Sequence, residues 1–68
     1  IGDANNAYIN LKRACDLDRH NIYYVTQFAQ VCSIIGKKSV GSEYVNNYIK
    51  ANPSAAFDPK LKQIRTSL

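Results

Sequence analysis

Apolar residues recur at intervals of three and four positions in four separate segments of the chain. This spacing gathers them on one side of an α-helix, whereas a half-buried strand would alternate at every second residue. The pattern predicts helices over residues 3–17, 22–35 and 39–51, and a fourth that begins at Asp58. The sequence therefore predicts an all-α fold of about four helices in a single domain, residues 1–68.

Each predicted helix has one apolar stripe, and together these stripes define the expected core. The residues expected to be buried are Ala4, Ala7, Tyr8, Leu11, Ala14 and Cys15, then Val25, Phe28, Ala29, Cys32 and Ile35, then Val40, Tyr44, Val45 and Tyr48, and finally Leu61, Ile64 and Leu68. Small residues in the first stripe would let a neighbouring helix approach closely.

Capping residues stand at the predicted helix ends. Asp3, Asn21 and Asp58 each precede a helical pattern, where a side-chain oxygen can accept a free backbone N–H. Gly36 follows the second segment, where glycine commonly ends a helix in the left-handed conformation. Asn52 precedes a proline, which disfavours the α region and so ends the third helix.

The chain repeats itself with a period of 34 residues. The corresponding pairs are Gly2 and Gly36, Ala7 and Gly41, Leu11 and Val45, Cys15 and Ile49, Leu17 and Ala51, Asp18 and Asn52, Ile22 and Ala56, and Tyr23 and Phe57. A fixed period of this length is typical of solenoids, in which each helical unit buries its apolar face against its neighbours.

The helix, glycine turn, second helix and proline-containing turn within one period resemble the tetratricopeptide repeat. The matching positions are Phe28, Ala29, Gly36, Gly41, Val45 and Pro53. On this resemblance, residues 22–55 form one full repeat, residues 2–21 form the second half of a preceding repeat, and the remainder forms a C-terminal capping helix. Tyr48 departs from the family pattern, because it stands at a normally small position.

The resemblance implies a right-handed stack of helix pairs that acts as a protein–protein interaction module. The module would bind a partner peptide or helix, or mediate assembly, including self-association. We expect it to be the C-terminal end of a longer array. In this family the first helix of each unit lines the partner groove. The corresponding candidate residues here are Tyr23, Thr26, Gln30, Ser33, Lys60 and Ile64.

Four apolar side chains on this candidate face are open to a second interpretation. Tyr23, Ile34, Phe57 and Ile64 fit packing between neighbouring helices, and that interpretation is favoured for them over partner contact. The amide, hydroxyl and lysine side chains of the same face remain available for a peptide backbone or a carboxylate.

The net charge of +4 raises an alternative function, a small basic helix-turn-helix domain that binds nucleic acid. A short glycine turn joins the second and third helices, and the third offers Ser42, Asn46, Asn47 and Lys50. Glu43 opposes this hypothesis, since phosphate contact favours positive charge at that helix. The 34-residue period is also unexplained by it, so nucleic acid is not the favoured partner.

Catalysis is not expected from this sequence. His20 is the only histidine and falls in a predicted surface turn, and the five carboxylates are scattered without the spacing of a metal or acid–base site. No glycine-rich phosphate loop is present in the sequence. We therefore expect neither a cofactor nor a metal.

The remaining sequence features concern compartment. Cys15 and Cys32 fall on apolar stripes, which predicts small buried side chains rather than a disulfide framework. No apolar run approaches the roughly 20 residues of a membrane span, and no secretory signal pattern is visible. These features favour a cytoplasmic location without assigning one.

Overall fold

The computed structural model describes residues 2–68, and every element within that range is helical. The α-helices are α1 (Gly2–Leu17), α2 (Ile22–Ile34), α3 (Lys38–Ala51) and α4 (Pro59–Ser67), and a 3₁₀ helix spans Pro53–Phe57. The predicted all-α class and the four α-helices are confirmed. Within residues 2–68, no helix has both the length and the hydrophobicity that crossing a membrane requires.

Three of the predicted helix ends have the expected geometry. The side chain of Asn21 accepts the backbone N–H of Tyr24 at 3.2 Å, and that of Asp58 accepts the N–H of Leu61 at 3.0 Å. Gly36 has a φ of +79°, the left-handed conformation that glycine adopts at little cost. These contacts satisfy backbone groups that a helix leaves free at its ends.

One prediction at the helix ends is wrong, and one helical segment was missed. Helix α1 already includes Gly2, so Asp3 lies in its first turn rather than at the cap, where its charge still favours the positive end of the helix dipole. The 3₁₀ helix was not predicted. It is held by bonds from the Ala55 N–H to the Asn52 carbonyl and from the Asp58 N–H to the Ala55 carbonyl. A segment this short carries no readable period.

Helix α2 is the centre of the fold, because α1, α3 and α4 all pack against it. Phe28, Ala29 and Cys32 of α2 are fully buried. The Phe28 ring lies 5.3 Å from that of Tyr8 in α1 and 4.6 Å from that of Tyr44 in α3, centroid to centroid. Aromatic contacts therefore join three of the helices.

The predicted core is largely confirmed on α2 and α4 but less so on α1. The buried apolar residues are Cys15, Val25, Phe28, Ala29, Cys32, Val45, Ala55, Leu61 and Ile64. Of the α1 stripe only Cys15 is buried, and its other members are half-buried, since α1 packs mainly against a single helix. Ile35, Val40, Tyr44, Tyr48 and Leu68 are also half-buried.

Side-chain hydrogen bonds show that alternate helices run parallel. The hydroxyl of Tyr44 in α3 donates to the Asp16 carboxylate, and that of Tyr48, one turn later, donates to the carbonyl of His20. The contact residue moves from Asp16 to His20 as the tyrosine moves from Tyr44 to Tyr48. The two chain segments therefore run in the same direction, and α1 and α3 are parallel. The Ser33 hydroxyl near the end of α2 donates to the carbonyl of Ser67, 34 residues on, at the end of α4.

Helices α2 and α3 approach most closely at Gly41. A Cβ atom at this position would lie 2.9 Å from the Cβ of Cys32 and 3.1 Å from the Cδ2 of Leu68. Carbon atoms in normal contact are about 3.5–4.0 Å apart. The absent side chain therefore sets the distance between the two helices and makes room for the end of α4.

We expect Gly41→Ala to lower the free energy of unfolding by up to about 2 kcal/mol. Alanine gains about 1 kcal/mol of helix propensity over glycine, but overpacking costs about 1–3 kcal/mol, and the backbone-fixed Cβ of Cys32 cannot rotate away. Urea unfolding followed by circular dichroism measures the difference in the free energy of unfolding between Gly41→Ala and the parent chain. Adding Cys32→Ala should not restore stability, because it leaves that Cβ in place.

Gly36 provides the matched control. Nothing lies within 4 Å of a Cβ built there. Gly36→Ala should therefore lower the free energy of unfolding by about 1–2 kcal/mol only because of the positive φ at this position. Gly36→Asn should cost less, because asparagine tolerates that conformation. A gain in stability for Gly41→Ala would contradict the close packing.

Candidate binding surfaces

The outward side of α2 is the first candidate surface. Tyr23, Gln27, Gln30 and Ile34 follow helical spacing and form one ridge. Tyr23 is 64% exposed and Ile34 is 75% exposed. Helix α2 contains no charged residue. Large apolar side chains therefore stand in solvent at both ends of an uncharged ridge.

Lys60 is exposed on α4, which packs against α2. The Ser67 carbonyl accepts the Ser33 hydroxyl of α2, so the C-terminal end of α4 adjoins α2. Phe57 is 77% exposed and lines a shallow pocket with Ile22, at the N-terminal end of α2. We call Tyr23, Gln27, Gln30, Ile34, Phe57 and Lys60 together the α2–α4 face.

Two of the six candidate residues do not reach the surface. Thr26 is 8% exposed, and its hydroxyl donates to the Ile22 carbonyl one turn earlier at 2.7 Å. Ile64 lies in the core, where it packs with Leu61. Their side chains are satisfied by the fold itself and are not available to a partner in this conformation.

The other four candidates lie on or at the border of the α2–α4 face. Tyr23, Gln30 and Lys60 are exposed, and Ser33 is half-buried between α2 and α4. The favoured interpretation that the apolar members pack between helices holds for Ile64 and is wrong for Tyr23, Ile34 and Phe57, which are exposed. Each of these three side chains lies just outside a helix–helix contact. Periodicity alone does not show whether a side chain lies inside or outside such a contact.

A second feature, which the sequence did not predict, is a cleft of about 340 Å³ between α1, α3 and the start of α2. Asp16, Asp18 and Glu43 line it, together with a single cation, Arg19. We call it the acidic cleft. Its residues come from separate segments that no motif links, so only the parallel placement of α1 and α3 brings them together.

The hydrogen bonds of the acidic cleft involve neutral donors. The Tyr44 hydroxyl donates to Asp16 at 3.1 Å, and the Asn21 amide donates to Asp18 at 3.3 Å. These contacts orient the carboxylates without neutralising them. The floor of the cleft is formed partly by Cys15, whose thiol is buried and free of disulfide bonding.

Burial also keeps the Cys15 thiol and the Tyr44 hydroxyl of the cleft neutral near pH 7. It raises the pKa of the Cys15 thiol to about 11, with a further contribution from the charge of Asp16. Burial is likewise the largest cause that raises the pKa of Tyr44 to about 12, followed by its hydrogen bond to Asp16. Because the thiolate is the nucleophilic form, Cys15 is poorly suited to nucleophilic chemistry near neutral pH.

The acidic cleft also bears on the nucleic-acid alternative. Glu43 and Asn47 of α3, the helix that would read bases, line the cleft beside Asp16 and Asp18. Carboxylates there would repel phosphate. The ammonium of Lys37, in the turn before α3, lies 5.4 Å from the centre of the Tyr8 ring, which is a cation–π distance. This cation beside α3 therefore already has a partner within the chain.

Comparison with known proteins leaves the chain without an identified relative. It matches no protein-family model, no curated protein and no solved structure. Its function is therefore inferred from the two surfaces described above.

We expect burial of the Tyr44 hydroxyl, together with its hydrogen bond to Asp16, to make stability depend on pH in the alkaline range. The pKa of Tyr44 rises from 10.0 to about 12 on folding, so the unfolded chain loses this proton first. The stability linked to the neutral hydroxyl is complete below pH 10 and is lost as the pH rises toward 12. Tyr44→Phe should cost about 0.5–1 kcal/mol at neutral pH.

This prediction is checked by urea unfolding of both proteins at several pH values. The difference in the free energy of unfolding between Tyr44→Phe and the parent chain should shrink across the alkaline range, since phenylalanine has no hydroxyl to ionise. Tyr23→Phe is the control, because it removes a hydroxyl from a side chain that is exposed on the surface of α2. An unchanged difference across that range would show that the Tyr44 hydroxyl is not held in the cleft.

Proposed function

We propose that this chain is a protein–protein interaction module of the tetratricopeptide-like type, and that it binds an extended partner segment along the α2–α4 face. The observation that carries the proposal is the exposure of Tyr23 and Ile34 on an uncharged helix whose other sides are buried. Apolar side chains that are exposed in this way gain stability when a partner covers them.

The arrangement of helices supports the proposal. Helix α3 runs parallel to α1, and α4 adjoins α2 at an offset of 34 residues, the period of the sequence. Helix α4 packs more on α2 than on α3, so the helix at the end of the chain rests mainly on the first helix of the full repeat. Stacked helix pairs of this kind present extended binding surfaces, and the small residue at Gly41 allows the close approach on which such stacking depends.

The outer side of α4 supports a terminal position in the stack. Its apolar residues Leu61 and Ile64 face the core, whereas Lys60, Lys62 and Arg65 are exposed. A terminal helix of a repeat array requires a polar outer side. A partner is therefore expected on the α2–α4 face rather than on the outer side of α4.

The chemistry of the α2–α4 face suits an extended peptide. The Gln27 and Gln30 side chains each carry an amide donor and acceptor, which match the N–H and C=O groups of a peptide backbone. Tyr23 offers a large apolar contact area with a polar tip, a combination that is common at protein interfaces. The nucleic-acid alternative is not favoured, because the carboxylates of the acidic cleft border α3.

Selection of a random-peptide phage library on the immobilised chain tests this function. We expect recovered peptides to bind the parent chain and to lose about tenfold or more in affinity with Tyr23→Ala, since truncating a buried aromatic contact commonly costs over 1 kcal/mol. Gln30→Ala should weaken binding about three- to tenfold through lost backbone hydrogen bonds. Fluorescence anisotropy measures both effects.

The controls make the same substitutions elsewhere. Leu17→Ala removes an exposed apolar side chain, and Asn10→Ala removes an exposed amide, both on α1. Neither should change the affinity, and circular dichroism should show that all four variants remain folded. Recovery of no binding peptide, or equal losses in the α1 variants, would contradict a binding role for the α2–α4 face.

A further inference from the structure

The exposed ridge of α2 has the same pattern when it is read from either end. Its residues, Tyr23, Gln27, Gln30 and Ile34, are separated by intervals of four, three and four positions. Their chemistry is also the same in both directions, because an apolar side chain stands at each end and two glutamines stand between them. We call these four residues the α2 ridge. A surface with this property can bind a second copy of itself about a two-fold axis.

A two-fold axis through the middle of the α2 ridge, between Gln27 and Gln30, determines which side chains meet. Two α2 helices that pack antiparallel across this axis bring Tyr23 of each copy against Ile34 of the other. Gln27 of each copy then meets Gln30 of the other, where amide donors face amide acceptors. Each contact is made twice, and none places an apolar side chain against an amide.

Charge favours the α2 ridge over the other helices as a surface for self-association. Two copies with a net charge of +4 repel each other unless their cations stay apart. Helices α1, α3 and α4 each contain at least two cations, whereas α2 contains no charged residue. Antiparallel packing also separates Lys37 and Lys38, which are exposed just after α2 and which a parallel pair would bring together. The charges therefore select both the ridge and its orientation.

The size of the α2 ridge limits the strength of such a contact. Tyr23 and Ile34 lie about 16 Å apart at a rise of 1.5 Å per residue, and one helix is about 10 Å wide. A contact of these dimensions is smaller than the roughly 800 Å² per partner of a standard stable interface. We therefore expect weak association, with a dissociation constant between about 10 µM and 1 mM.

We propose that, when no peptide is bound, the α2 ridge is covered by the α2 ridge of a second copy of this chain, packed antiparallel about a two-fold axis. The same side chains serve both occupants, so self-association and peptide binding exclude each other. This inference rests on the proposed function, because both use the ridge as a binding surface, and it adds how access to that surface is regulated.

Sedimentation velocity of the chain over a range of concentrations tests the self-association. We expect a reversible monomer–dimer equilibrium that added salt does not weaken, since no ion pair joins the two copies. Ile34→Ala should weaken the dimer about tenfold or more, because each dimer loses this contact twice. Leu17→Ala removes another exposed apolar side chain, on α1, and should leave the equilibrium unchanged. A monomer at every concentration up to about 1 mM, or equal weakening by both variants, would overturn the inference.

Crosslinking tests the antiparallel orientation. In a mixture of Tyr23→Cys and Ile34→Cys, the two new thiols meet at one end of the dimer, and the remaining Tyr23–Ile34 contact holds the other end. A bis-maleimide that is too short to span about 16 Å should link the mixture but neither variant alone, because the two copies of position 23 lie that far apart. The parent chain is the control, since its own Cys15 and Cys32 are buried. Efficient crosslinking of either variant alone would contradict the antiparallel pair.

The outcomes distinguish this inference from the function on which it rests. A monomeric chain that still yields binding peptides from the phage library would overturn the self-association and leave the binding module in place. A dimer that yields no binding peptide would support pairing of the ridges and contradict the proposed function. Peptides that bind the dimer without dissociating it would show that the two occupants use different surfaces, which would overturn the inference.

Discussion

The close approach of α2 and α3 at Gly41 is the constraint on which the rest of the structure depends. The Cβ of Cys32 and the side chain of Leu68 occupy the space that a side chain at this position would fill. This contact brings α3 near enough for Tyr44 to pack on Phe28, and it lets the end of α4 close over both helices. In a chain of 68 residues, which has few core side chains, such a contact determines much of the packing.

Because α1, α3 and α4 all pack against α2, only one side of that helix stays in solvent. The residues on that side are polar amides flanked by Tyr23 and Ile34, with no charge. Since three helices pack against α2, the backbone beneath its exposed ridge is already helical in the free chain. Such pre-organisation lowers the entropy cost of binding.

The tyrosines of α3 have a different role, since they connect the two parallel helices α1 and α3. Tyr44 and Tyr48 extend their hydroxyls to Asp16 and to the carbonyl of His20. Tyr48 stands at a position that is normally small in the family the chain resembles, and here it reaches across to the turn after α1. The same placement assembles the acidic cleft, whose lining residues include none from α4. A chain with a net charge of +4 therefore has a locally acidic surface.

The sequence by itself determined the four helices, their caps at Asn21 and Asp58, and the turn at Gly36, because each depends on the spacing or backbone preference of nearby residues. It also identified Gly41 as the counterpart of Ala7 in the 34-residue period. Only the tertiary structure decided that Thr26 and Ile64 are buried while Tyr23, Ile34 and Phe57 are exposed. Periodicity identifies which residues share a side of a helix, but the neighbouring helices determine how much of that side they cover. The acidic cleft has the same origin, since Asp16 and Glu43 are distant in sequence and meet only because α1 and α3 lie side by side.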